Sequence, residues 1–461
     1  MKIIIGLLIV CSTVMCFAEK HKVLEKHFPT TEKQRIEIQG FSGSDIRFKS
    51  WSKDEVYIKL NVSISSSDDD YEKEYIESAK ISDFQASDAL RITFEAEEEH
   101  SSGSWLFNLF KRFYVEKKIS GEIYVPQKNA LSTDMRYGTL GLEDMQGEIN
   151  LNGVSNSLTL KRCPDIRTID NKYGKTVIEN SGGDLQLDGT SSTISISDFN
   201  GKARIEADYS TVTIVHIKKG VYVSDKSGKI KVEDVAGDVT LDADYSDMTV
   251  KNVQGFVDIN SASATIKVYT VNGINVDAKY SEVDISGVSG TAGKSIIVKG
   301  QSGSLMLEDA IGDISIDNPY SNIDFKNVKG NINLSSRSSQ ITGNGIQGNW
   351  NSETEYSSVK LRQLQAKRVY ATNKSESIDI KFAIVPDTIE IENEYGDVSI
   401  KIPIGFTGSV ELESEYGSVE TNLSVTQKKR GNREYVIGKT GLGRGSISIG
   451  TKSADIELIE E

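Results

Sequence analysis

The chain is poor in cysteine. Of its three cysteines, Cys11 and Cys16 lie within the first 18 residues, and only Cys163 lies beyond them. If the first 18 residues are removed as a signal peptide, a single cysteine remains. One cysteine cannot form an internal disulfide, so packing alone must hold the fold together. We interpret Cys163 as a small core residue, because no neighbouring base that would activate its thiol is evident in the sequence.

Proline, excess positive charge and long hydrophobic runs are also lacking. Only 6 prolines but 39 glycines, with abundant Val, Ile, Ser, Thr and Asp, favour strands that are joined by tight turns. The formal net charge of -14 argues against nucleic acid as a partner, since nucleic-acid binding requires a basic face. After the first 18 residues, no segment has the roughly 20 apolar residues that a membrane helix needs.

The first 18 residues have the features of a secretory signal peptide. Lys2 supplies the positive charge, residues 3–10 form an apolar run, and Ala18 precedes the expected cleavage point. We therefore expect an exported protein that is periplasmic, on the cell surface or secreted. Lipidation at Cys16 is the alternative, although Met15 stands where lipoprotein processing requires a small residue.

An internal repeat is the strongest pattern present. A marker residue, Tyr or Ser, recurs every 18 residues from position 137 to 263 and continues with variable spacing to position 416, giving 16 units. Apolar residues follow the marker at the third and fifth positions, and a second alternating run precedes it. Alternation on both sides of a turn predicts two short strands per unit. Since one unit cannot bury a core, we predict an all-β parallel β-solenoid of stacked units.

Domain boundaries follow from where the repeat begins and ends. We predict a signal peptide over residues 1–18, a strand-rich N-terminal cap over 19–130, repeats over 131–425, and C-terminal strands and a cap over 426–461. The caps are needed because an open solenoid end exposes strand edges and core. The segment YEKEYIESAK is expected to be a short helix, and QKKRGNRE a polar loop. The final strands are expected to close the C-terminal end.

Nine of the markers are tyrosines, each followed by Gly or Ser, at positions 137, 173, 209, 245, 280, 320, 356, 395 and 416. A tight corner explains the small following residue. Because the tyrosines share the parity of the buried residues before them, we expect their rings to fill the corners of the core. The alternative is an exposed aromatic strip, on which sugars could stack. Whether one coil contains 18 or 36 residues stays open.

These features resemble the putative-adhesin family of exported bacterial domains. The resemblance rests on GEIYVPQKNALSTDMRYGTLGL at the entrance to the repeat, on the repeated G-x-V-x-L units, and on the ending from Gly443 to Ile449. It covers nearly all of the chain after the signal peptide. It implies an elongated β-solenoid outside the cytoplasm, without a catalytic motif that could be carried over to this sequence.

No catalytic, cofactor or metal motif is apparent. The four histidines, at positions 21, 27, 100 and 216, lack metal-ligand spacing, and no cofactor is expected. Acidic pairs such as Asp165 with Asp170, and Glu233 with Asp234, fit an ordinary acidic surface. A charged residue directly precedes the marker in many units, and we interpret this column as a solvated face of mixed charge. Its members are Arg136, Lys172, Asp208, Asp244, Lys279, Glu355, Glu394 and Glu415.

One aromatic segment is a candidate contact patch. Around the basic pair at 111–112 it gathers large apolar side chains: Trp105, Leu106, Phe107, Phe110 and Phe113. Such a patch could contact a membrane surface or a partner, or it could cover the open N-terminal end of the core. We expect a non-catalytic protein that acts in adhesion, surface binding or envelope scaffolding, with a polysaccharide or an envelope protein as partner. The alternative function is a polysaccharide lyase or hydrolase.

Overall fold

The structure is a computed structural model that describes residues 20–43, 45–97, 115–290 and 295–461. It consists of two compact units that divide after Cys163. Strands dominate both units, and the single described helix lies in the first. Within the described ranges, no helix has the length and apolar character to cross a membrane. The fold class is the predicted one, a parallel β-solenoid. The predicted signal peptide lies outside the described residues.

In its described residues, the first unit contains eleven strands and one helix. Their bounds are β1 (Lys20–Pro29), β2 (Arg35–Ser42), β3 (Asp45–Trp51), β4 (Glu55–Ser66), α1 (Asp69–Ser78), β5 (Lys80–Gln85), β6 (Ala89–Glu95), β7 (Val115–Pro126), β8 (Leu131–Arg136), β9 (Thr139–Glu143), β10 (Ile149–Val154) and β11 (Ser157–Lys161).

Each sheet of the first unit begins with antiparallel strand pairs and continues with parallel strands. In one sheet β4 lies between β1 and β7 and is antiparallel to both, and β7 is followed in parallel by β3, β9 and β11. In the other sheet, β5 pairs antiparallel with β6, which is followed in parallel by β2, β8 and β10. The predicted helix is confirmed as α1, where the Asp68 carboxylate accepts hydrogen bonds from the N–H groups of Asp70 and Tyr71.

The second unit contains the remaining strands. Their bounds are β12 (Ile166–Lys172), β13 (Lys175–Glu179), β14 (Gly182–Asp188), β15 (Thr193–Glu206), β16 (Thr211–Ile217), β17 (Val221–Lys226), β18 (Lys229–Val235), β19 (Val239–Asp244), β20 (Asp247–Val253), β21 (Val257–Ala262), β22 (Thr265–Val271), β23 (Ile274–Lys279), β24 (Ser281–Val288), β25 (Ile296–Gly300), β26 (Ser302–Glu308), β27 (Ile314–Asp317), β28 (Tyr320–Lys326), β29 (Ile332–Ser336), β30 (Gln340–Asn344), β31 (Trp350–Thr354), β32 (Ser358–Leu364), β33 (Arg368–Asn373), β34 (Ile378–Phe382), β35 (Thr388–Asn393), β36 (Val398–Ile402), β37 (Gly408–Ser414), β38 (Val419–Thr421), β39 (Thr426–Arg430), β40 (Arg433–Thr440), β41 (Gly445–Thr451) and β42 (Ile456–Glu460).

Each coil of the second unit contributes one strand to each of two parallel sheets. Thr211 pairs with Lys229 in the first sheet and Val221 pairs with Val239 in the second, both 18 residues further along the chain. One coil is therefore 18 residues long, not 36. Each coil adds about 4.8 Å to the stack, the spacing of neighbouring strands. Units with a tyrosine marker and units with a serine marker consequently alternate along the stack.

Aliphatic side chains from both sheets fill the space between them. In the coil that begins at Tyr209, the inward residues Val212, Ile214, Ile217, Val221 and Val223 are at most 4% exposed. Burying one such side chain contributes roughly 1.5–3 kcal/mol, and the same positions are apolar in coil after coil. The alternation that predicted the strands thus arises from one continuous core.

Two corners of these coils are formed by residues with positive φ. Tyr209 (φ 59°) and His216 (φ 58°) occupy them in one coil, and Ser227 (φ 61°) occupies the first corner of the next. Such left-handed backbone is uncommon for residues other than glycine. In several later coils a third turn is glycine-dependent, because a Cβ added to Gly330 (φ 150°) would lie 1.9 Å from the Gly312 carbonyl oxygen.

The C-terminal strands do not close the stack. Strand β41 lies between β35 and β37, and β42 lies between β36 and β38, with all four pairings parallel. Beyond them, β37 pairs antiparallel with β40, which pairs with β39. The expectation that the final strands form the outer end is therefore wrong, and so is the polar loop at QKKRGNRE, which forms the β39–β40 hairpin.

Candidate functional site: the tyrosine ladder

The marker tyrosines lie on the surface, at the corner where a strand of the second sheet leads into a strand of the first. In the second unit their exposed fractions range from 46% for Tyr320 to 66% for Tyr245. The expectation that their rings fill the corners of the core is wrong. In the earlier coils the physical reason is the left-handed backbone at the marker, as at Tyr173 and Tyr245 (φ 59° and 54°). It interrupts the strand alternation, so that parity does not continue through the corner.

The residue that follows the marker takes the inward position instead. Ser210, Ser246 and Ser281 are each at most 4% exposed. The Ser210 hydroxyl lies 2.7 Å from the Gly189 carbonyl oxygen and accepts a hydrogen bond of 2.9 Å from the Ser192 N–H. Backbone groups that the corner leaves unpaired are thus satisfied inside the core. This explains the serine that follows five of the marker tyrosines. At Gly396 and Gly417, which follow two others, an added Cβ would lie 1.8 and 2.1 Å from a carbonyl oxygen.

Register places the tyrosines and serines of the second unit in one column, which we call the tyrosine ladder. Tyr173 aligns with Ser191, Ser191 with Tyr209, and the pairing continues coil by coil. Along the column the residues are, in order, Tyr173, Ser191, Tyr209, Ser227, Tyr245, Ser263, Tyr280, Ser302, Tyr320, Ser338, Tyr356, Ser375, Tyr395, Ser453 and Tyr416.

Ser453 was missed in the sequence, where Tyr395 and Tyr416 look like consecutive markers. Because β41 and β42 insert between two coils, the strand after Ser453 pairs with the strands after both tyrosines. The Lys452 N–H donates to the Glu394 carbonyl oxygen, and the Tyr416 N–H donates to that of Lys452. A signal was present, since Ser453 is followed by Ile456 and Leu458 at the third and fifth positions.

Neighbouring tyrosines of the ladder are two coils apart. Two strand spacings amount to about 9.6 Å, which exceeds the separation of roughly 4.5–7 Å at which aromatic rings pack on each other. The column from Tyr173 to Tyr416 spans fourteen steps, or about 67 Å. The rings therefore form a regular series of separate aromatic surfaces rather than a continuous stack.

The residues just before the ladder positions carry nearly balanced charge. In the second unit six are basic and five acidic: Lys172, Lys226, Lys279, Arg337, Lys374 and Lys452, against Asp208, Asp244, Glu355, Glu394 and Glu415. Arg337 pairs with Glu355 at 3.3 Å, and Lys452 with Glu394 at 3.2 Å. Lys374 Nζ lies 5.7 Å from the centre of the Tyr356 ring. The predicted mixed face is present, and it borders the ladder.

The other residues singled out in the sequence do not cluster into a second site where the structure describes them. The contact patch of Trp105, Leu106, Phe107, Phe110 and Phe113 lies outside the described residues, as does His100. Cys163 is buried, and burial raises the pKa of its thiol, which fits a core residue. His216 lies between two carboxylates, with its ring nitrogens 3.2 Å from Asp198 and from Asp234. Over the described residues, no group of His, Cys, Asp and Glu side chains could hold a metal ion.

The acidic pairs singled out in the sequence include carboxylates that form ion pairs with basic side chains, as Asp165 and Glu233 do. Asp165 contacts Arg167 at 2.6 Å. The ammonium groups of Lys231 and Lys251 hold the pKa of Glu233 below its usual range. Burial raises the pKa of Asp170, Asp225 and Asp284, but these three lie in different coils.

A shallow groove lies on the second sheet, apart from the ladder. It encloses about 740 Å³ and is lined by several basic side chains, Lys202, Arg204, Lys218 and Lys219, together with Tyr222. The Arg204 guanidinium stacks 4.0 Å from the centre of the Tyr222 ring. Since the basic groups are surface side chains with no buried polar partner among the groove's lining, the groove offers only a weak general attraction for anions.

One protein family matches this chain. Residues 257–459 match the family Toastrack DUF4097. Among curated proteins, none matches the sequence significantly. A solved structure, a putative cell adhesion protein from Clostridium sporogenes, is 8% identical, with 96% of this chain and 100% of that chain covered, and its TM-score of 0.16 is too low to carry an argument. The matched residues 257–459 include the last five tyrosines of the ladder, and this match, together with the parallel β-solenoid, supports the resemblance to the putative-adhesin family of β-solenoid proteins.

Proposed function

We propose that this chain is an exported, non-catalytic protein that binds surfaces of the cell envelope through many repeated contacts. The observation that carries the proposal is the tyrosine ladder, eight exposed tyrosines in one column of the second unit. A single exposed aromatic ring binds weakly. Eight rings on a rigid frame act together, since the binding of one raises the effective concentration of the ligand at the next.

The distribution of ionisable groups supports a binding role over catalysis. Glycoside hydrolysis uses two carboxyl groups that face each other across roughly 5–10 Å of a cleft. Here the described carboxyl group with the largest rise in pKa, Asp225, is 1% exposed and lies within the core. Asp170 and Asp284, whose pKa values are also raised, belong to other coils. A polysaccharide lyase or hydrolase is the alternative function, and no observation on the described residues favours it.

The test is co-sedimentation of the purified protein with insoluble cell-envelope fragments, compared with a variant that carries Tyr209→Ser, Tyr245→Ser and Tyr280→Ser. The matched control replaces three tyrosines off the ladder, Tyr222, Tyr269 and Tyr370, by serine. We expect the ladder variant to require a higher protein concentration for half-saturation of the fragments. The control should bind as the parent does. Equal binding by all three proteins would contradict the proposal.

The enzyme alternative is decided in the same samples. Sugar release from the envelope fragments is followed over hours by reducing-end analysis and by absorbance of unsaturated products. We expect no increase above the rate without protein. Product release that scales with protein concentration would show that the chain is an enzyme, whatever the result for the ladder variant.

A further inference from the structure

We propose that the tyrosine ladder binds a neutral, linear β-1,4-linked polysaccharide, with one tyrosine ring stacked on every second sugar. This inference rests on the proposed surface-binding function and specifies its ligand. It starts from the regularity of the ladder, which the packing of the protein does not require.

Packing does not require tyrosine at the marker, because serine occupies the same corner in every second coil. Tyr209 and Ser227 have nearly the same φ, 59° and 61°. The ladder tyrosines are 46–66% exposed, so that about half or more of their surface stays in contact with water. In the first four ladder tyrosines, Tyr173 to Tyr280, the exposed ring is also carried by left-handed backbone, which is a costly conformation for a bulky residue. Its recurrence in every second coil is therefore attributed to a contact outside the protein.

The spacing of the rings matches this class of ligand. Tyrosines two coils apart are separated by about 9.6 Å. In an extended β-1,4-linked chain, successive sugars are turned over, so that the same face recurs once per disaccharide, at nearly this length. The sugar ring presents C–H groups to an aromatic face, and the contact is of the kind that buries apolar surface. Several consecutive tyrosines can thus contact equivalent sugars of one chain.

The threaded C-terminal coil keeps this spacing constant. Without β41 and β42, Tyr395 and Tyr416 would lie one coil apart, about 4.8 Å. Insertion of Ser453 between them restores the two-coil interval. The alternation therefore continues across a discontinuity in the sequence, which strengthens the view that the interval itself matters.

The charges beside the ladder favour a neutral ligand. Six basic and five acidic residues precede the ladder positions, and several of them pair with each other. A polyanion such as a polyuronate would meet Asp208, Asp244 and Glu355, and a polycation would meet the basic residues. Neither sign has a continuous complementary surface. The exposed hydroxyls of Ser191, Ser227 and other ladder serines lie at half the interval, where they can hydrogen-bond the intervening sugars.

The first experiment measures binding of soluble oligosaccharides by isothermal titration calorimetry. The probes are β-1,4-linked di- and hexasaccharides of glucose and of N-acetylglucosamine, with α-1,4-linked maltohexaose as the control. A hexasaccharide reaches about three tyrosines, a disaccharide about one. We expect a β-linked hexasaccharide to bind at least about tenfold more tightly than its disaccharide and than maltohexaose. Equal affinity for all probes, or no binding, would overturn the proposal.

The second experiment tests the spacing with the number of tyrosines unchanged. Three exchanges move a tyrosine by one coil: Tyr209→Ser with Ser191→Tyr, Tyr280→Ser with Ser263→Tyr, and Tyr356→Ser with Ser338→Tyr. Each exchange places residues that already occur at this corner, so the fold should be retained, as judged by circular dichroism. We expect the exchanged protein to lose about tenfold in affinity for the β-linked hexasaccharide. Unchanged affinity would overturn the spacing argument.

The outcomes separate the ligand from the function. One outcome is that the ladder variant loses binding to envelope fragments while the parent does not bind β-1,4-linked oligosaccharides. In that case the proposed ligand class is wrong and the surface-binding function stands. If the ladder variant binds envelope fragments normally, the proposed function loses its main support. Hexasaccharide binding in that case would assign the ladder a soluble ligand.

Discussion

At the residue scale, the inward serine that follows many of the markers is as informative as the tyrosine itself. Ser210 Oγ accepts from the Ser192 N–H and lies within hydrogen-bond distance of two carbonyl oxygens, those of Gly189 and Asp208. Alanine fits the same site, since Ala264 occupies it in another coil with 8% exposure. The hydroxyl therefore contributes through hydrogen bonds rather than through its volume.

The variant Ser210→Ala should be destabilised by about 1–2 kcal/mol, because the buried Ser192 N–H loses its acceptor. The free energy of unfolding is measured by urea denaturation monitored by circular dichroism. Ser224→Ala, on the outward side of β17, serves as the control and should change stability by less than about 0.5 kcal/mol. Equal effects of the two substitutions would show that the corner hydroxyl is dispensable.

Asp225 is an acidic residue at a buried corner position. It is 1% exposed, its Oδ2 accepts from Ser246 Oγ at 3.2 Å, and its Oδ1 has no partner among the described residues. Burial raises the pKa of this carboxyl to about 6. The folded protein therefore binds the proton more tightly than the unfolded chain, and stability is lost as the pH rises from about 4 through 6.

The variant Asp225→Asn should remove this loss of stability, because the amide side chain stays uncharged throughout the range from pH 4 to pH 7. Asparagine is used at the same corner position by Asn393, whose amide donates to the Glu376 and Gly396 carbonyl oxygens. We expect the variant to exceed the parent in stability at pH 7 by up to about 3 kcal/mol, and by little at pH 4.

Urea denaturation at pH 4, 5, 6 and 7 measures the effect of Asp225→Asn. Asp247→Asn, on the exposed side of β20, is the control and should leave the pH dependence of the parent unchanged. Parallel pH curves for the parent and the Asp225 variant would contradict the raised pKa.

At the element scale, strands and their spacing could be predicted because the chemistry is local. Inward positions such as Val212 and Ile214 must be apolar, and their alternation marks each strand in the sequence. The direction of Tyr209 could not be predicted by extending that alternation, since one left-handed residue reverses it. The serine or glycine after each tyrosine was the available signal, and it marks the true inward position.

The edge strand β39 combines strand geometry with strong positive charge. All five of its residues are exposed, and among the described strands it pairs with β40 alone. Unpaired N–H and C=O groups on such an edge can add a strand from another molecule. Lys428, Lys429 and Arg430 oppose this by repulsion between two copies of the same edge.

Replacing Lys428 and Lys429 by valine should produce concentration-dependent self-association. Sedimentation velocity over a hundredfold range of concentration measures it. The control variant carries Lys267→Val and Lys360→Val, which remove the same charge from strands β22 and β32, both paired on two sides. Self-association of both variants alike would indicate general loss of solubility rather than exposure of an edge.

At the scale of the whole second unit, the order of coils departs from the order of the sequence. The repeat pattern fixes which residues face inward but not which coil is the neighbour of which. Both neighbours of β42, strands β36 and β38, present equally apolar inward residues such as Val398 and Val419. Sequence order was therefore the natural expectation, and only long-range pairing places Ser453 between two tyrosines.

Truncation after Arg444 should remove an internal coil and leave β37 and β38 without a parallel neighbour. We expect the thermal midpoint of the second unit to fall and the residues around β37–β40 to become sensitive to protease. A synthetic peptide of residues 445–461, added in excess, should restore both properties by binding into the gap. Parent-like melting of the truncated protein would show that the inserted coil is not integral.

The inserted terminal coil also determines how the protein resists mechanical force. In a simple solenoid the last strand is bonded on one side, so a pull on its end can peel it away. Here β42 has five paired residues on one side and three on the other, and β41 has six and seven. Tension at the C-terminus must break the hydrogen bonds to two neighbouring strands together, a property that would serve the proposed binding of surfaces.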